Sequence, residues 1–205
     1  MRSRGILSVA CGMVLAATVL LAQSKNVDDL AAGKVLVAPR EAPDPDFGET
    51  VVLLVRYERG GALGLILNHP TTIPVSKALH DVKGAAKRPG LLYLGGPVDV
   101  ASVTALFRAN EAPRDGVRIF GDLFMISSKK DMEGALNASR TSGGLRMYVG
   151  YCGWSGGQLE NEIKLGGWYI FDRSTEAVFD GKPETLWSRL IARTEFRVAG
   201  LNRRY

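Results

Sequence analysis

Hydrophobic residues come along this chain in short runs, which glycine- and proline-rich segments separate. The run KVLVA at 34–38 predicts a first strand, and PREAPDPDFGE after it, with three prolines, predicts a loop. VVLLVRYE and ALGLILN flank a short glycine turn and predict a β-hairpin. Because VVLLV is apolar at consecutive positions, its strand is expected to be covered on both faces.

Apolar residues spaced by three and four, the pattern of a helix with one buried side, occur at several places. Pro74 is expected in the first turn of a helix with a buried side formed by Val75, Ala78, Leu79 and Val82. Ser128 is expected to cap a helix over 129–138. A short helix is predicted around 158–165, and a last one over about 183–192 has an inner side of Leu186, Trp187, Leu190 and Ile191.

The remaining apolar runs predict further strands, in LLYLGGPV, VTALF, RIFGDLFMISS, LRMYVGY and WYIF. The total is about seven to nine strands and four helices, without a regular alternation of strand and helix. This order favours an α+β fold over a doubly wound nucleotide-binding fold. At 205 residues, the chain is expected to form a single compact domain of mixed or antiparallel β-sheets flanked by about four helices.

The N-terminus has the layout of a signal peptide. Arg2 and Arg4 precede an uncharged run of 18 residues from Gly5 to Ala22, and small residues follow at the predicted cleavage site. Residues 1–24 are therefore predicted to be a signal peptide and 25–205 the folded domain. The run is also just long enough for an uncleaved inner-membrane anchor over residues 5–22. With either alternative, the folded domain is expected to be exported and so to be periplasmic or secreted. It is expected to contact the membrane only through the N-terminal segment.

Charge and cysteine content narrow the classes of partner. The formal charge is +5, and without Arg2 and Arg4 it is +3, from 24 basic and 21 acidic residues. Lysine and arginine are spread along the chain, which is not the pattern of a nucleic-acid-binding face, and an exported protein has no access to DNA. Cys11 leaves with the signal, so Cys152 has no intramolecular disulfide partner and is expected to be a small buried side chain.

No cofactor or metal is predicted. One mature cysteine and two histidines, His69 and His80, have no paired ligand spacing. The glycines follow neither the dinucleotide fingerprint nor the P-loop pattern.

The segment Gly153-Trp154-Ser155-Gly156-Gly157 matches the G-x-S-x-G pattern of a nucleophile elbow. The hydrolase order needs a histidine after the serine, and both histidines precede Ser155; His80 is moreover expected to be exposed. The S-x-x-Q spacing of Ser155 and Gln158 instead favours a capping box. A hydrolase or thiol enzyme using Ser155, or a thiolate at Cys152, with His69 remains the alternative.

Five segments, in order, resemble the bacterial YqgE/AlgH family: PDPDFGETVVLLVRY, GALGLILNHPT, YLGGPV, GDLFMISS and GYCGWSGGQLENEIKLGGW. The resemblance spans about residues 33–192 and implies a compact single-domain α+β fold. The family carries a transcriptional-regulator label but no established reaction or catalytic residues. The resemblance therefore supplies motif positions only, namely Asn68 and Pro70, Gly95 to Pro97, and Gly153, Trp154 and Gly157 to Glu160.

These positions define a candidate binding surface of Asn68, Gly95, Gly96, Pro97, Cys152, Trp154, Gln158 and Glu160. Backbone N–H groups at the start of the Gln158 helix are expected to make part of it an anion-tolerant concavity. The alternative is that Trp154 is a core residue and Glu160 pairs with Lys164. The chain is thus expected to be a non-enzymatic binding or regulatory protein with an unknown protein or small-molecule partner. A transcriptional regulator, if the chain is cytoplasmic, is the other alternative.

Overall fold

The computed structural model describes residues 23–42, 44, 47–138 and 144–201. Its eleven strands are β1 (Gln23–Ser24), β2 (Val35–Val37), β3 (Val51–Glu58), β4 (Gly61–Ile66), β5 (Pro70–Pro74), β6 (Leu91–Leu94), β7 (Val98–Arg108), β8 (Val117–Phe120), β9 (Leu123–Ile126), β10 (Leu145–Ser155) and β11 (Tyr169–Phe171). The α-helices in this part of the chain are α1 (Val75–Ala78), α2 (Lys129–Ala138), α3 (Gln158–Lys164), α4 (Thr175–Val178) and α5 (Leu186–Leu201).

All the described strands belong to one sheet, in the order β1-β11-β2-β3-β4-β10-β7-β9-β8. The additional strand β6 pairs with β10, and β5 pairs with β6. Every pairing is antiparallel except that of β6 with β10, which is parallel. The predicted α+β fold is confirmed, with five α-helices in the described residues rather than about four.

The β3–β4 hairpin lies at the centre of the fold, as its sequence predicts. The first five residues of β3 are all buried. Val51, Leu53 and Val55 point into a cluster with the buried side of α5, whereas Val52 and Leu54 point into a second cluster on the opposite face, with α3. The consecutive apolar residues of β3 therefore result from helices on both faces of the sheet.

α1 and β10 differ from their predicted form. α1 ends at Ala78, and a 3-10 turn over Ala85–Lys87 follows, so the helix predicted through Val82 is a single turn. Pro74 precedes this helix as its N-cap rather than lying in its first turn. β10 continues through Ser155 instead of ending before the glycine motif. α2, by contrast, occupies its predicted range, and the Asp131 N–H donates to the Ser128 hydroxyl as in a helix cap.

The Gly95-Gly96 pair lies where β4, β6 and β10 meet. The Gly95 N–H donates to the Val149 carbonyl, and the Gly95 carbonyl accepts from the Ile66 N–H. A Cβ on Gly96 would overlap the backbone of Tyr151 and Cys152, and one on Gly95 would overlap the Gly150 carbonyl. These glycines are therefore needed because three strands approach one another without room for a side chain.

The predicted signal peptide or anchor, residues 1–22, lies outside the described residues. The last two residues of the predicted 1–24 segment, Gln23 and Ser24, form β1 and pair with β11. Within the part of the chain that is described, no helix has the length and apolar content needed to cross a membrane.

Candidate functional site

An open groove of about 280 Å³ lies on the α3 face of the sheet. We call it the Glu162 groove. Its aromatic wall is formed by Phe47, Trp154 and Trp168, its polar wall by Gln158 and Glu162, and its rim includes Leu165, which is 75% exposed. The volume is close to the lower end of the range for small-molecule sites.

The carboxylate of Glu162 is held by three neutral donors. The indole N–H groups of Trp154 and Trp168 both donate to its Oε2, at 3.0 and 2.8 Å. The Gln158 amide donates to its Oε1 at 3.1 Å. Since all three partners are donors, both oxygens of Glu162 act as acceptors, which suits the ionised carboxylate.

The local sequence explains why these side chains meet. Trp154 is carried by β10, while Gln158 and Glu162 are four residues apart in α3 and so lie on one face of that helix. After α3, the Gly166 N–H donates to the Ile163 carbonyl and the Gly167 N–H to the Glu162 carbonyl. These bonds, with Gly166 at φ +84°, form a Schellman motif. The motif turns the chain at the end of α3, and Trp168, two residues after Gly166, donates to the same carboxylate oxygen as Trp154.

Ser155 belongs to this network, but not as the predicted cap. Gln158 Oε1 accepts the Ser155 backbone N–H at 3.1 Å, which is the Gln158 half of a capping box. The serine hydroxyl also donates to Gln158 Oε1, at 3.2 Å, rather than accepting a helix N–H. The N-cap of α3 is Gly157, with no side-chain hydrogen bond. Ser155 therefore orients the Gln158 amide so that its NH₂ group faces Glu162.

Cys152 is buried, as predicted, with 1% of its surface exposed. Its thiol donates to the Gly95 carbonyl at 3.4 Å. Burial, with a smaller contribution from the negative charge of Glu162, raises the pKa of the Cys152 thiol from about 9 to about 12. The thiolate needed for nucleophilic chemistry is therefore disfavoured at neutral pH.

We expect the Cys152 thiol to make folding pH-dependent. The folded pKa lies above that of the unfolded chain, so the stabilisation is complete below about pH 9 and is lost as pH rises toward 12. A C11S chain should lose about 1.4 kcal/mol of unfolding free energy per pH unit in this window through Cys152. Urea unfolding between pH 8 and 11 measures the slope.

The matched control is the C11S chain that also carries Cys152→Ala. Its unfolding free energy should fall less steeply with pH, by about 1.4 kcal/mol per pH unit, because Cys152 no longer contributes. Burial and the Glu160 hydrogen bond raise the pKa of Tyr57 to about 12 as well, so a residual slope is expected in both chains. Identical slopes in the two chains, or rapid iodoacetamide labelling of Cys152 in the native C11S chain at pH 8, would contradict the buried neutral thiol.

The histidines do not lie in the Glu162 groove. His80 is exposed, as predicted. His69 is partly buried, burial lowers its pKa, and its backbone carbonyl accepts the Leu94 N–H. No hydrogen bond of the described residues joins the His69 imidazole to Ser155 or Cys152, whose partners are Gln158 and Gly95. Among the described residues there is also no group of three or more histidine, cysteine, aspartate or glutamate side chains placed to hold a metal ion.

Of the eight residues of the candidate surface, only Trp154 and Gln158 line the groove. Asn68 is buried and cross-links the backbone, accepting the Val51 N–H at 2.8 Å and donating to the Glu49 carbonyl at 2.9 Å. Gly95 and Gly96 are buried, whereas Pro97, directly before β7, is exposed. Glu160 accepts the Tyr57 hydroxyl at 2.6 Å, which replaces the alternative of a pair with Lys164. The surface is therefore not one continuous face.

The concavity itself also differs in charge from the prediction. Among the described lining residues, Glu162 has only neutral hydrogen-bond partners, so its carboxylate makes the electrostatics of the concavity suit a cation rather than an anion. Sequence reasoning missed Glu162, Trp168 and Phe47. A signal for Glu162 was available, because it lies four residues after Gln158 in a predicted helix. Nothing local indicates that Phe47, in the proline-rich loop, reaches the same groove.

Comparison with known proteins places the fold and the family. A family model described as AlgH-like (DUF179) matches residues 35–199. A UPF0301 protein of Streptomyces avermitilis is 33% identical over 173 residues, which cover 82% of this chain and 88% of that protein. A UPF0301 protein of Chlorobaculum tepidum is 34% identical, with coverage of 79% and 86%.

Two solved structures are similar to this one. Protein DIP2367 from Corynebacterium diphtheriae superposes with a TM-score of 0.66 at 24% identity, covering 80% of this chain and 87% of its own. The AlgH protein from Pseudomonas aeruginosa superposes with a TM-score of 0.65 at 29% identity, with coverage of 80% and 88%. From the family match, the sequence relatives and the shared fold, the chain belongs to the AlgH-like (YqgE/AlgH, UPF0301) family.

Proposed function

We propose that this AlgH-like chain is a non-enzymatic binding protein that holds a small molecule in the Glu162 groove. The observation that carries the proposal is the Glu162 carboxylate, which three neutral donors fix in the wall of an aromatic groove. A largely apolar concavity with a few convergent polar groups is the common form of a ligand site.

The polar wall of the groove is pre-organised. Hydrogen bonds connect the Ser155 backbone to Gln158, Gln158 to Glu162, and Glu162 to two indoles that are 3% and 6% exposed. Side chains already held in one rotamer lose little conformational entropy when a ligand binds. The groove therefore has the rigid support that specific binding requires.

The surroundings of the two candidate nucleophiles, Cys152 and Ser155, support a binding function rather than catalysis. The Cys152 thiol is buried with its pKa raised, and the Ser155 hydroxyl donates to an amide oxygen, which cannot act as a base. An activated nucleophile instead needs a base within hydrogen-bonding reach. The side chain of Ser155 is better explained as part of the support for Gln158 and Glu162.

Indole NMR signals offer a direct test, because the chain has three tryptophans and only two line the groove. A fragment set containing cationic, neutral and anionic compounds is titrated into ¹⁵N-labelled protein. Binding in the groove should shift the indole N–H signals of Trp154 and Trp168. The indole of Trp187 lies outside the lining and donates at 2.9 Å, from the α5 side, to the carbonyl of the lining residue Ala38, so its signal should shift less than the other two.

A blocking variant sharpens the test. Ala42 lines the groove, so Ala42→Phe should abolish the shifts, whereas Ala86→Phe, at an exposed position outside the groove lining, should leave them unchanged. If no fragment shifts the two groove indoles, or if Ala42→Phe leaves the shifts intact, the groove is not the binding site and the proposal fails.

A further inference from the structure

We propose that the ligand of the Glu162 groove carries a quaternary ammonium group on a short organic chain. This inference rests on the proposed function and specifies the chemistry of its ligand. It follows from three properties of the groove, namely its charge, its remaining hydrogen-bonding capacity and its aromatic wall.

The negative charge of Glu162 has no cationic partner among the described residues. The described ion pairs join Lys34, Arg108, Lys129 and Arg189 to aspartates elsewhere in the fold. The partners of Glu162 are two indoles and an amide, all neutral. None of the described residues lining the groove is lysine, arginine or histidine. A partly buried carboxylate without a counter-charge favours a cationic ligand.

Hydrogen-bonding capacity distinguishes between kinds of cation. A carboxylate offers about four acceptor sites, and the protein itself uses three of them at Glu162. The orientation of the Gln158 amide is fixed, because its oxygen must face the Ser155 N–H. A primary ammonium brings three N–H donors, and Glu162 can satisfy about one of them, so the others would need Asp44 or water at the open side of the groove. A quaternary ammonium has none to satisfy, so Glu162 acts on it as a charge alone.

The aromatic wall suits the same group. The rings of Phe47 and Trp168 have centroids 5.7 Å apart and an interplanar angle of 68°. The rings of Trp154 and Trp168 are 6.3 Å apart at 81°. Aromatic side chains beside a negative charge are the combination found in sites that bind quaternary ammonium ions. Trp154 and Trp168 are nearly buried, so Phe47 presents the most accessible of the three rings. The Trp154 and Trp168 indoles also donate to the Glu162 carboxylate, so the aromatic wall and the negative charge are held in one arrangement.

The test compares choline with 3,3-dimethylbutan-1-ol, its uncharged isostere, in the indole NMR titration at ionic strength matched with NaCl. Choline should shift the Trp154 and Trp168 signals with an affinity at least about tenfold higher than that of the isostere. n-Butylammonium should bind more weakly than choline. The wild-type comparison needs no variant, so it stands even where a substitution disturbs folding.

Two variants assign the effect to the residues named. Glu162→Gln should bring choline and the isostere to similar affinity, while Glu160→Gln, the same change at the Tyr57-bound carboxylate of α3, should preserve the difference. Phe47→Leu keeps the charge and should weaken choline binding more than isostere binding.

The outcomes separate the two proposals. Equal affinity for choline and the isostere, or selectivity that survives Glu162→Gln, overturns the quaternary ammonium inference while groove binding stands. The inference is also overturned, and groove binding also stands, if the fragment set shifts the groove indoles but choline does not. If neither choline nor any fragment shifts them, both the inference and the proposed function are wrong.

Discussion

Replacing Gly96 with alanine is expected to prevent stable folding or to lower the free energy of unfolding by more than about 3 kcal/mol. A Cβ at this position would overlap the backbone of Tyr151 and Cys152 in β10, an inner strand of the sheet. Backbone atoms of paired strands cannot move aside as a flexible side chain can. Urea unfolding of the purified chain, or its yield in soluble form, measures the loss.

Gly134→Ala is the matched control for this substitution. Gly134 lies inside α2, and a Cβ there meets no atom within 4 Å. Alanine in a helix interior is favoured over glycine by about 0.5–1 kcal/mol, so this variant should be slightly more stable than the wild type. A Gly96→Ala chain as stable as Gly134→Ala would show that the strands at Gly95-Gly96 are not packed as described.

Replacing Glu162 with alanine is the second change with a large expected effect. It removes the acceptor of the Trp154 and Trp168 indole N–H groups, both on nearly buried side chains. Each buried donor left without a partner costs about 1–3 kcal/mol, so a loss of about 2–6 kcal/mol is expected for the two indoles. Thermal and urea unfolding measure it, and the ¹⁵N indole signals of Trp154 and Trp168, which lose their acceptor, should move more than that of Trp187.

Glu160→Ala provides the comparison within the same helix. Glu160 has one described hydrogen-bond partner, the hydroxyl of Tyr57, at a partly buried position. Its loss should cost about 1 kcal/mol or less. Equal destabilisation by the two substitutions would mean that the paired indoles do not depend on Glu162.

Local sequence patterns were enough to predict the helices and strands that are determined by neighbouring residues in the chain. The β3–β4 hairpin, the range of α2 and the buried side of α5 all follow from periodicity, a glycine turn or a helix cap. α1 was predicted too long, because the chain leaves the helix after one turn and reaches the buried Val82 through a turn in which the Val82 N–H donates to the Leu79 carbonyl. Periodicity identifies which residues are buried but not whether the backbone between them stays helical.

The sequence indicated only some of the residues of the site. The segment around Ser155 was the right place to look, and Trp154 and Gln158 do line the groove. The pattern suggested a nucleophile elbow or a cap, whereas the serine supports an amide that in turn supports a carboxylate. Asn68 was misassigned to a surface because a polar residue in a turn gives no sign that its amide binds two buried backbone groups.

By itself, the sequence determined the family, the α+β class and the strands and helices with strong local patterns, because these depend on contacts between near neighbours in the chain. Only the tertiary structure decided that Phe47, Trp154, Glu162 and Trp168 share one groove, and that the groove is acidic. Phe47 comes from a loop more than a hundred residues before the others, so no spacing along the chain encodes their meeting. Packing on the α3 face of the sheet brings them together, and the charge of the site follows from that packing.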